Sequence, residues 1–193
     1  SGGIVFTMNE DLFHLSLAHA DRGKQIWRTD LNLNDPRSAL FPALNFNTNE
    51  FSCAIGLASL QRLEETIRKR NLFLSRLVSC LSKETKTCHP YEHNDNFSPF
   101  YFPIFVDEEK IKCSKIEFAN ALIAEGIGLL PEYGCLVCDW KWAKKYLADG
   151  FETMNARSMR DRSFNLFLNE QYGEREIEDI IEAIKKVESF YLF

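Results

Sequence analysis

The stretch at residues 41–70, FPALNFNTNEFSCAIGLASLQRLEETIRKR, places three asparagines just before a long run of apolar residues at helical spacing. Glutamates precede basic residues by four positions in this run, as in Glu64 and Arg68, and such pairs stabilise the solvent face of a helix. The first turns, CAIGLAS, carry small side chains that let another backbone approach closely. The pattern predicts one long helix over residues 49–82, with these apolar positions: Phe51, Ala54, Ile55, Ala58, Leu63, Ile67, Leu74, Leu77, Val78 and Leu81.

Strands and helices are predicted to alternate on either side of this helix. Upstream, β-branched and aromatic residues predict a strand over residues 3–7, and Asn9 is placed to cap the helix that follows. Downstream, FYFPIFV predicts a strand in which Pro103 argues for an edge position or a bulge. Ser114 and Glu117 then have the spacing of a capping box at the start of another helix.

The C-terminal third continues the same alternation. IGLLPEYGCLVC predicts a strand that runs into a turn, and Asp139 is placed to cap a short helix, WKWAKKYL, whose Trp140 and Trp142 we expect in the core. SFNLFLN predicts a strand, and GEREIEDIIEAIKKVESF a helix with one isoleucine-rich face. Only one strand precedes the long helix, and a single strand is not a sheet. The order therefore predicts an α/β fold with a compact C-terminal sheet covered by helices.

Composition excludes several classes of protein. Hydrophobic content is 45% and charged content 26%, as in a soluble globular domain. The net charge of −5 comes from 28 acidic and 23 basic residues spread along the chain, which leaves no basic stripe for nucleic acid. No apolar run reaches the roughly 20 residues of a membrane span, and the first residues lack the pattern of a signal peptide. We therefore expect a cytoplasmic protein that binds neither nucleic acid nor a membrane.

The six cysteines allow one metal-site alternative. Cys88, His89 and His93 in CHPYEH could in principle form a mixed sulfur and nitrogen zinc site together with Cys135 and Cys138 in CLVC. However, Leu136 and Val137 resemble core or pocket lining rather than the polar turn of a structural zinc ligand pair. We expect reduced, buried thiols and no metal.

Local rules give the asparagines a simple role. Asparagine before a helix commonly accepts from a first-turn N–H, so Asn49 alone, or Asn47 with Glu50, would cap the long helix. Tyr133 in LLPEYG is by spacing alone a packing residue in a turn. Gly2 and Gly3 are by themselves compatible with a tight turn or with a flexible chain end.

Four blocks of the chain resemble one family, in the right order and over nearly the whole length. They are SGGIVFTMNEDL, LNFNTNEFSCAIGLASLQRLEETIRKR, FANALIAEGIGLLPEYG and RDRSFNLFLNEQYGEREIEDIIEAIKKV. The chain resembles the DegT/DnrJ/StrS aminotransferases, which use pyridoxal 5'-phosphate (PLP) on nucleotide-linked keto sugars. The order of the blocks is more specific than any single block.

The resemblance implies the C-terminal half of an aspartate aminotransferase-like fold. Residues 1–48 would hold the last strand of the large cofactor domain and an interface loop, 49–82 the helix between the domains, and 83–193 the small α/β domain. Members of the family work as homodimers with sites at the subunit interface. We therefore expect a homodimer that binds a nucleotide sugar and an amino-acid amine donor, for cell-surface polysaccharide or amino-sugar synthesis.

The resemblance also places the catalytic lysine outside this chain. In the family, the lysine that forms a Schiff base with PLP stands a few residues before the glycine pair that corresponds to Gly2 and Gly3. These glycines would let the backbone approach the cofactor. Lys24 lies beyond the first helix and does not match. We therefore expect no catalytic residue in this chain and no turnover by it alone.

Three further residues match family site positions. Asn45 and Phe46 match the first two positions of an Asn-aromatic-Arg motif whose asparagine donates to the PLP phosphate in the other subunit. Asn47 stands where the family often has a substrate-facing arginine, so a bidentate donor is lost. Tyr133 matches an aromatic or histidine position near the substrate. This departure at Asn47 leaves open a second hypothesis, a non-catalytic or regulatory relative, or a half-protein kept for binding or dimerisation.

Overall fold

The computed structural model describes residues 3–94 and 96–193, so Gly2, one of the predicted cofactor residues, lies outside the described part. The chain divides into two compact units, Ser1–Arg62 and Leu63–Phe193. The first unit holds two helices and a long loop, and the second holds a four-stranded sheet and four helices. Within the described ranges, no helix has the length and apolar character needed to span a membrane.

The first unit is built from helices α1, Glu10–Ala20, and α2, Glu50–Gln61. Asn9 caps α1 as predicted, because its side chain accepts from the N–H of Leu12 at 3.0 Å. Gly23 follows the helix with φ +75°, and a Cβ there would lie 2.0 Å from the carbonyl oxygen of Phe41. Only glycine therefore allows the returning loop to lie so close to the end of α1.

The strand predicted over residues 3–7 is wrong for this structure. Residues 3–7 have no strand partner within the described chain, and their large side chains are exposed: Ile4 81%, Val5 74% and Phe6 85%. The reason is that a strand forms only against a neighbour, and no neighbouring strand is supplied by the first unit.

The single long helix predicted over residues 49–82 is two helices. Helix α2 ends at Gln61 and α3 begins at Leu63, running to Glu84. At the junction, the N–H of Arg62 donates to the carbonyl of Ser59 at 3.2 Å, which is the tighter i→i+3 spacing. The helical spacing of the apolar residues is almost the same on both sides of Arg62, so the sequence pattern predicts a continuous helix.

The second unit contains a four-stranded antiparallel sheet. Its strands are β1 (Cys88–Pro90), β2 (Tyr101–Val106), β3 (Leu129–Leu130) and β4 (Ser163–Phe167), in the order β1-β2-β4-β3. The helices after α3 are α4 (Lys115–Ala124), α5 (Met154–Arg162) and α6 (Glu174–Tyr191). The capping box predicted at the start of α4 is confirmed, with Ser114 N–H to Glu117 Oε2 at 2.9 Å.

Pro103 was expected at an edge or a bulge, but its strand is central. Strand β2 pairs with β4 through Pro103 opposite Asn165, and with β1 on its other side. The carbonyl of Pro103 accepts from Tyr91 at 3.2 Å, one residue beyond the end of β1. In an antiparallel pair, the N and C=O of one residue point to the same neighbouring strand. The nitrogen of Pro103, which has no hydrogen to donate, therefore points toward Tyr91, where β1 has already ended. A central strand therefore tolerates this proline.

The core lies between the sheet and the helices. Helix α3 buries Phe73, Leu74, Leu77 and Leu81, and the isoleucine-rich face predicted for α6 is confirmed. That face of α6 comprises Ile177, Ile180, Ile181, Ile184 and Val187. Each of these side chains contributes about 1.5–3 kcal/mol when fully buried, so this face of α6 stabilises the second unit.

A buried carboxylate fixes α6 to the turn after α3. Glu188 is 3% exposed and its Oε1 accepts from the N–H of Lys86 at 2.8 Å, and from the N–H and hydroxyl of Thr87 at 2.7 and 2.8 Å. Three donors satisfy a charge that burial would otherwise disfavour. The neighbouring thiol of Cys88 has a raised pKa, first because it is buried and then because of the charge of Glu188.

Candidate functional site

The backbone of the first unit fixes Asn45 beside the end of α1. The N–H of Arg22 donates to the carbonyl of Leu44 at 3.0 Å, and the N–H of Phe46 donates to the carbonyl of Ala20 at 2.8 Å. Asp21 and Asn45 therefore face each other in a short antiparallel bridge. Arg22 has a positive φ of 55°, which a side chain other than glycine adopts only at some cost in free energy.

Within the described part of the first unit, the side chain of Asn45 forms a hydrogen bond only through its oxygen. Its Oδ1 accepts from the N–H of Asn47 at 3.1 Å, and the residue is exposed. In the described part of the chain, no acceptor lies within hydrogen-bond distance of its Nδ2. An amide group that faces solvent with both N–H donors available can donate to an anion.

Asn47 lies close enough to Asp21 to influence its carboxylate, and it does not cap a helix. The pKa of Asp21 is lowered first by its hydrogen bond from Arg22, at 2.6 Å, and also by a side-chain hydrogen bond from Asn47. Lys24 Nζ lies 4.0 Å from the same carboxylate. This contact has no local sequence signal, because Asp21 and Asn47 are far apart in the chain.

The helix cap belongs to Asn49 alone. Its Oδ1 accepts from the N–H of Ser52 at 2.8 Å, at the start of α2. Of the two capping alternatives, the one with Asn49 is therefore confirmed. The three asparagines have three different sets of contacts, and Asn45 and Asn47 are left for other roles.

Gly3 does not approach any other group. It is exposed, and a Cβ built on it would have no neighbour within 4 Å in the described chain. Gly2 lies outside the described residues. A role for this glycine pair beside a cofactor therefore stays a prediction.

Tyr133 lies in the second unit, in the turn after β3. It is 39% exposed, and its ring packs against Tyr101 with centroids 6.0 Å apart and the planes tilted by 40°. Tyr101, and to a lesser extent Cys135, raise the pKa of the Tyr133 hydroxyl. The ring is thus held on one side and open on the other, which fits both the packing and the substrate-facing interpretation.

Lys115 holds the turn that carries Tyr133, a role that the sequence pattern does not predict. Its ammonium donates to the carbonyl of Pro131 at 2.9 Å and lies 3.9 Å from a carboxylate oxygen of Glu132. The residue is 1% exposed, and burial lowers the pKa of its ammonium, partly offset by Glu132. A lysine in the first turn of an otherwise ordinary helix carries no sequence signal of burial.

Asp139 joins two arginines instead of capping a helix. Its carboxylate accepts from Arg157 Nη2 at 2.7 Å and Arg160 Nη1 at 2.8 Å, both from α5. The short helix predicted over WKWAKKYL is wrong: that segment holds only a 3₁₀ turn at Lys144–Tyr146. Trp142 is 62% exposed, so its expected core position is wrong as well. Arginines outcompete backbone N–H groups for this carboxylate because charged pairs form stronger hydrogen bonds.

The cysteines are free thiols, but they are not uniformly buried. Cys88 is buried as expected, whereas Cys53 and Cys135 are exposed, which corrects that expectation. Cys135 lies in a surface turn and Cys53 on the exposed helix α2, where apolar spacing did not lead to burial. Over residues 3–94 and 96–193, no three His, Cys, Asp or Glu side chains are grouped so as to hold a metal ion.

Comparison with known proteins identifies a family and several relatives of this chain. The model of the DegT/DnrJ/EryC1/StrS aminotransferase family, whose members use PLP, matches residues 1–185. A curated relative is the spore coat polysaccharide biosynthesis protein SpsC of Bacillus subtilis, 22% identical over 148 residues, which are 76% of this chain and 38% of SpsC.

Solved structures share the fold of this chain. The PLP form of the putative sugar aminotransferase Spr1654 from Streptococcus pneumoniae has a TM-score of 0.69 at 20% identity, covering 95% of this chain and 45% of Spr1654. The GDP-4-keto-6-deoxy-D-mannose-3-dehydratase of E. coli has a TM-score of 0.75 at 17% identity, covering 92% and 48%.

These matches confirm a mixed α/β fold that corresponds to part of the PLP-dependent sugar aminotransferases. The chain spans less than half the length of these relatives. The match nevertheless extends over nearly the whole chain and includes both compact units. The chain belongs to the DegT/DnrJ/EryC1/StrS aminotransferase family.

Proposed function

We propose that the longer protein to which this chain belongs is a PLP-dependent aminotransferase that acts on a nucleotide-linked keto sugar, with an amino acid such as glutamate as donor. The observation that carries the proposal is the family match over residues 1–185. In the proposed arrangement this chain supplies the end of the large domain, the two helices α2 and α3 that connect the domains, and the small domain. The lysine that holds PLP precedes Gly2, and the protein works as a homodimer.

Asn45 fits a contact to the phosphate of PLP. Its backbone is fixed by the bridge to Asp21, its oxygen is used by Asn47, and its amide donors face solvent. Helix α2 begins at Glu50, and the unpaired N–H groups of a first turn favour a nearby anion. When bound, PLP supplies an electron sink for moving an amino group between two carbon skeletons. In this proposal Asn45 anchors the phosphate end and orients the ring.

Asn47 and Tyr133 would face the substrate. Asn47 is a neutral residue where relatives often carry an arginine, and its side chain is engaged with Asp21. A carboxylate or phosphate of the substrate would therefore meet an amide instead of a guanidinium, with a weaker and less directional contact. Tyr133 offers one open face and a hydroxyl, which suits packing against a sugar ring.

The activity is tested on the full-length protein. It is incubated with PLP, L-glutamate and either a UDP-linked or a GDP-linked keto sugar, and the nucleotide product is analysed by mass spectrometry. We expect glutamate-dependent replacement of the keto oxygen by an amino group, with one 2-oxoglutarate formed for each amino sugar. The matched control omits glutamate.

A second function is favoured by Asn47. If the full-length protein binds PLP but aminates neither sugar nucleotide, the departure at this position marks a non-catalytic or regulatory relative. Absence of both PLP binding and amination would overturn the aminotransferase proposal altogether.

The role of Asn45 is tested by replacing only its donor. Asn45→Asp keeps the oxygen that accepts from Asn47 but places a carboxylate where the amide donates. A bond to a charged group contributes about 1.5–3 kcal/mol, so we expect the full-length variant to retain PLP at least about tenfold more weakly. The absorbance of the PLP that remains bound during dialysis measures this retention in the variant and in the wild type.

Asn32→Asp is the matched control for this variant. Asn32 is also exposed, and its oxygen likewise accepts from the N–H two residues later, at 3.0 Å. PLP retention by this control should equal that of the wild type. Equal retention by Asn45→Asp and the wild type would remove Asn45 from the site and leave it the role of a turn residue.

A further inference from the structure

Residues 140–146, WKWAKKY, form a surface turn in which aromatic and lysine side chains alternate. We call it the aromatic-lysine turn. It carries three positive charges and no acidic residue, although the whole chain has a net charge of −5. Neither the helix prediction nor the proposed roles of Asn45 and Tyr133 explain this composition.

The backbone holds the aromatic-lysine turn in one shape. The N–H of Ala143 donates to the carbonyl of Trp140 at 3.0 Å, and the N–H of Tyr146 donates to the carbonyl of Ala143 at 2.8 Å. Ala143 itself is 2% exposed and anchors the centre of the turn. Asp139, immediately before it, is paired with Arg157 of α5. A surface that is already ordered loses little conformational entropy when it binds a ligand.

Two exposed aromatic rings of the turn contact each other edge to face. Trp142 is 62% exposed and Tyr146 is 71% exposed, with ring centroids 6.5 Å apart. Trp140 also packs against Trp142, with centroids 5.4 Å apart and planes tilted by 35°. An indole that is held by neighbouring rings and is still 62% exposed is suited to stacking against a planar ring, since nucleobases stack on aromatic side chains with little dependence on sequence.

The lysines of the turn are available for an anion. Over the described ranges, no carboxylate lies within 4.0 Å of the ammonium of Lys141, Lys144 or Lys145. Lys145 instead lies over the ring of Tyr146, 4.8 Å from its centroid. Most basic residues of the chain are paired with carboxylates, as Arg157 is a short distance along the chain. Three unpaired cations beside an open aromatic face are complementary to a ring that carries phosphates.

We propose that the aromatic-lysine turn binds the nucleoside diphosphate part of the sugar-nucleotide substrate. The base stacks on Trp142, and the two phosphates lie against Lys141, Lys144 and Lys145. This inference rests on the proposed function, because it assigns the nucleotide end of the same substrate. It gives the small domain a recognition role separate from the reacting sugar.

The test measures binding of UDP and GDP to the full-length protein by isothermal titration calorimetry. Trp142→Ala should weaken both about tenfold, which is about 1.4 kcal/mol. Replacing the three lysines by alanine should weaken both at least as much. Between about 50 and about 200 mM NaCl, the affinity of the lysine variant should fall less than that of the wild type, because this salt dependence arises from pairing of lysines with phosphates. Phe190→Ala and Lys83→Ala, on exposed positions of α6 and α3, are controls and should change nothing.

Uridine and inorganic pyrophosphate separate the two parts of the ligand. The affinity for uridine should fall only in Trp142→Ala, and the affinity for pyrophosphate only in the lysine variant.

Unchanged UDP and GDP affinities in both variants, with amination by the wild type intact, would overturn this inference and leave the proposed function standing. No nucleotide binding by a wild type that also fails to aminate would overturn both. A change in sedimentation of the variants without a change in nucleotide affinity would instead make the turn a surface between subunits and would overturn the inference.

Discussion

Three asparagines in NFNTN show how far one sequence pattern can be taken. The cap by Asn49 could be predicted because it depends on a partner three residues away, Ser52. The contact of Asn47 with Asp21 could not, because it depends on a chain reversal that only the fold produces. Lys115 was missed for the same reason, since burial of a lysine is a property of its surroundings. Local partners are visible in a sequence, and distant ones are not.

The carboxylate of Asp139 makes the stability of the second unit depend on pH. Its pKa is held below the ordinary value of 3.8, first by the hydrogen bond from Arg157 and further by Arg160. Because the pKa of Asp139 is lower in the folded than in the unfolded protein, its stabilising effect is complete when the pH is above the pKa of the unfolded state. The effect is lost as the pH falls through the pKa of the folded state. We expect Asp139→Asn to lower the free energy of unfolding at pH 7, and the difference from the wild type to shrink below about pH 4.

Urea unfolding of the chain at a series of pH values measures this difference. Solvent screens the pair because Asp139 and Arg157 are each about one third exposed, so the effect is modest. The matched control is a double-mutant cycle with Arg157→Gln, which should show coupling at pH 7 and none at low pH. A difference that stays constant or grows on acidification would contradict the assigned pairing.

Among the secondary-structure elements, α4, α6 and β4 could be predicted because each carries its own signal: a capping box, a buried stripe or a β-rich run. The predictions failed where an element depends on a neighbour. In the described chain, residues 3–7 lack a strand to pair with, and Pro103 is accepted in a central strand because β1 is short. Asp139, which was expected to cap a helix over WKWAKKYL, binds an arginine of α5 instead. Periodicity describes a face, but the neighbour decides whether the element forms.

Helix α2 has an apolar surface that the first unit does not cover. None of its residues is buried, and Phe51 and Ile55, one turn apart, are 84% and 68% exposed. Isolated apolar patches of this kind favour association. We expect Phe51→Glu with Ile55→Glu to reduce self-association of the chain in sedimentation velocity. Stability should change by no more than about 0.5 kcal/mol, because both sites are on the surface.

Ser52→Glu is the matched control on the same helix, since it adds a charge without removing apolar surface. Its sedimentation should remain that of the wild type. Unchanged self-association in the double variant, or a large loss of stability, would show that these side chains are covered within the chain itself.

The α/β class of the whole chain could be predicted from the order of its elements, and the family from four ordered blocks. The division into units after Arg62 could not, because the helical pattern runs through that position. A PLP site completed by residues outside the chain cannot be derived from composition or spacing either. It is implied by the family, and the roles of Asn45 at the cofactor and of Asn47 and Tyr133 at the substrate stay proposals.

The proposal that this chain completes a PLP site whose lysine precedes it is tested most directly by chemical fixation. The full-length protein, purified with PLP, is treated with borohydride, and the modified lysine is located by peptide mass spectrometry. We expect a single modified lysine in the peptide that leads into Gly2 and Gly3, and none among the lysines of residues 1–193. Modification of a lysine in this chain, such as Lys24, or no fixation at all, would contradict the proposal.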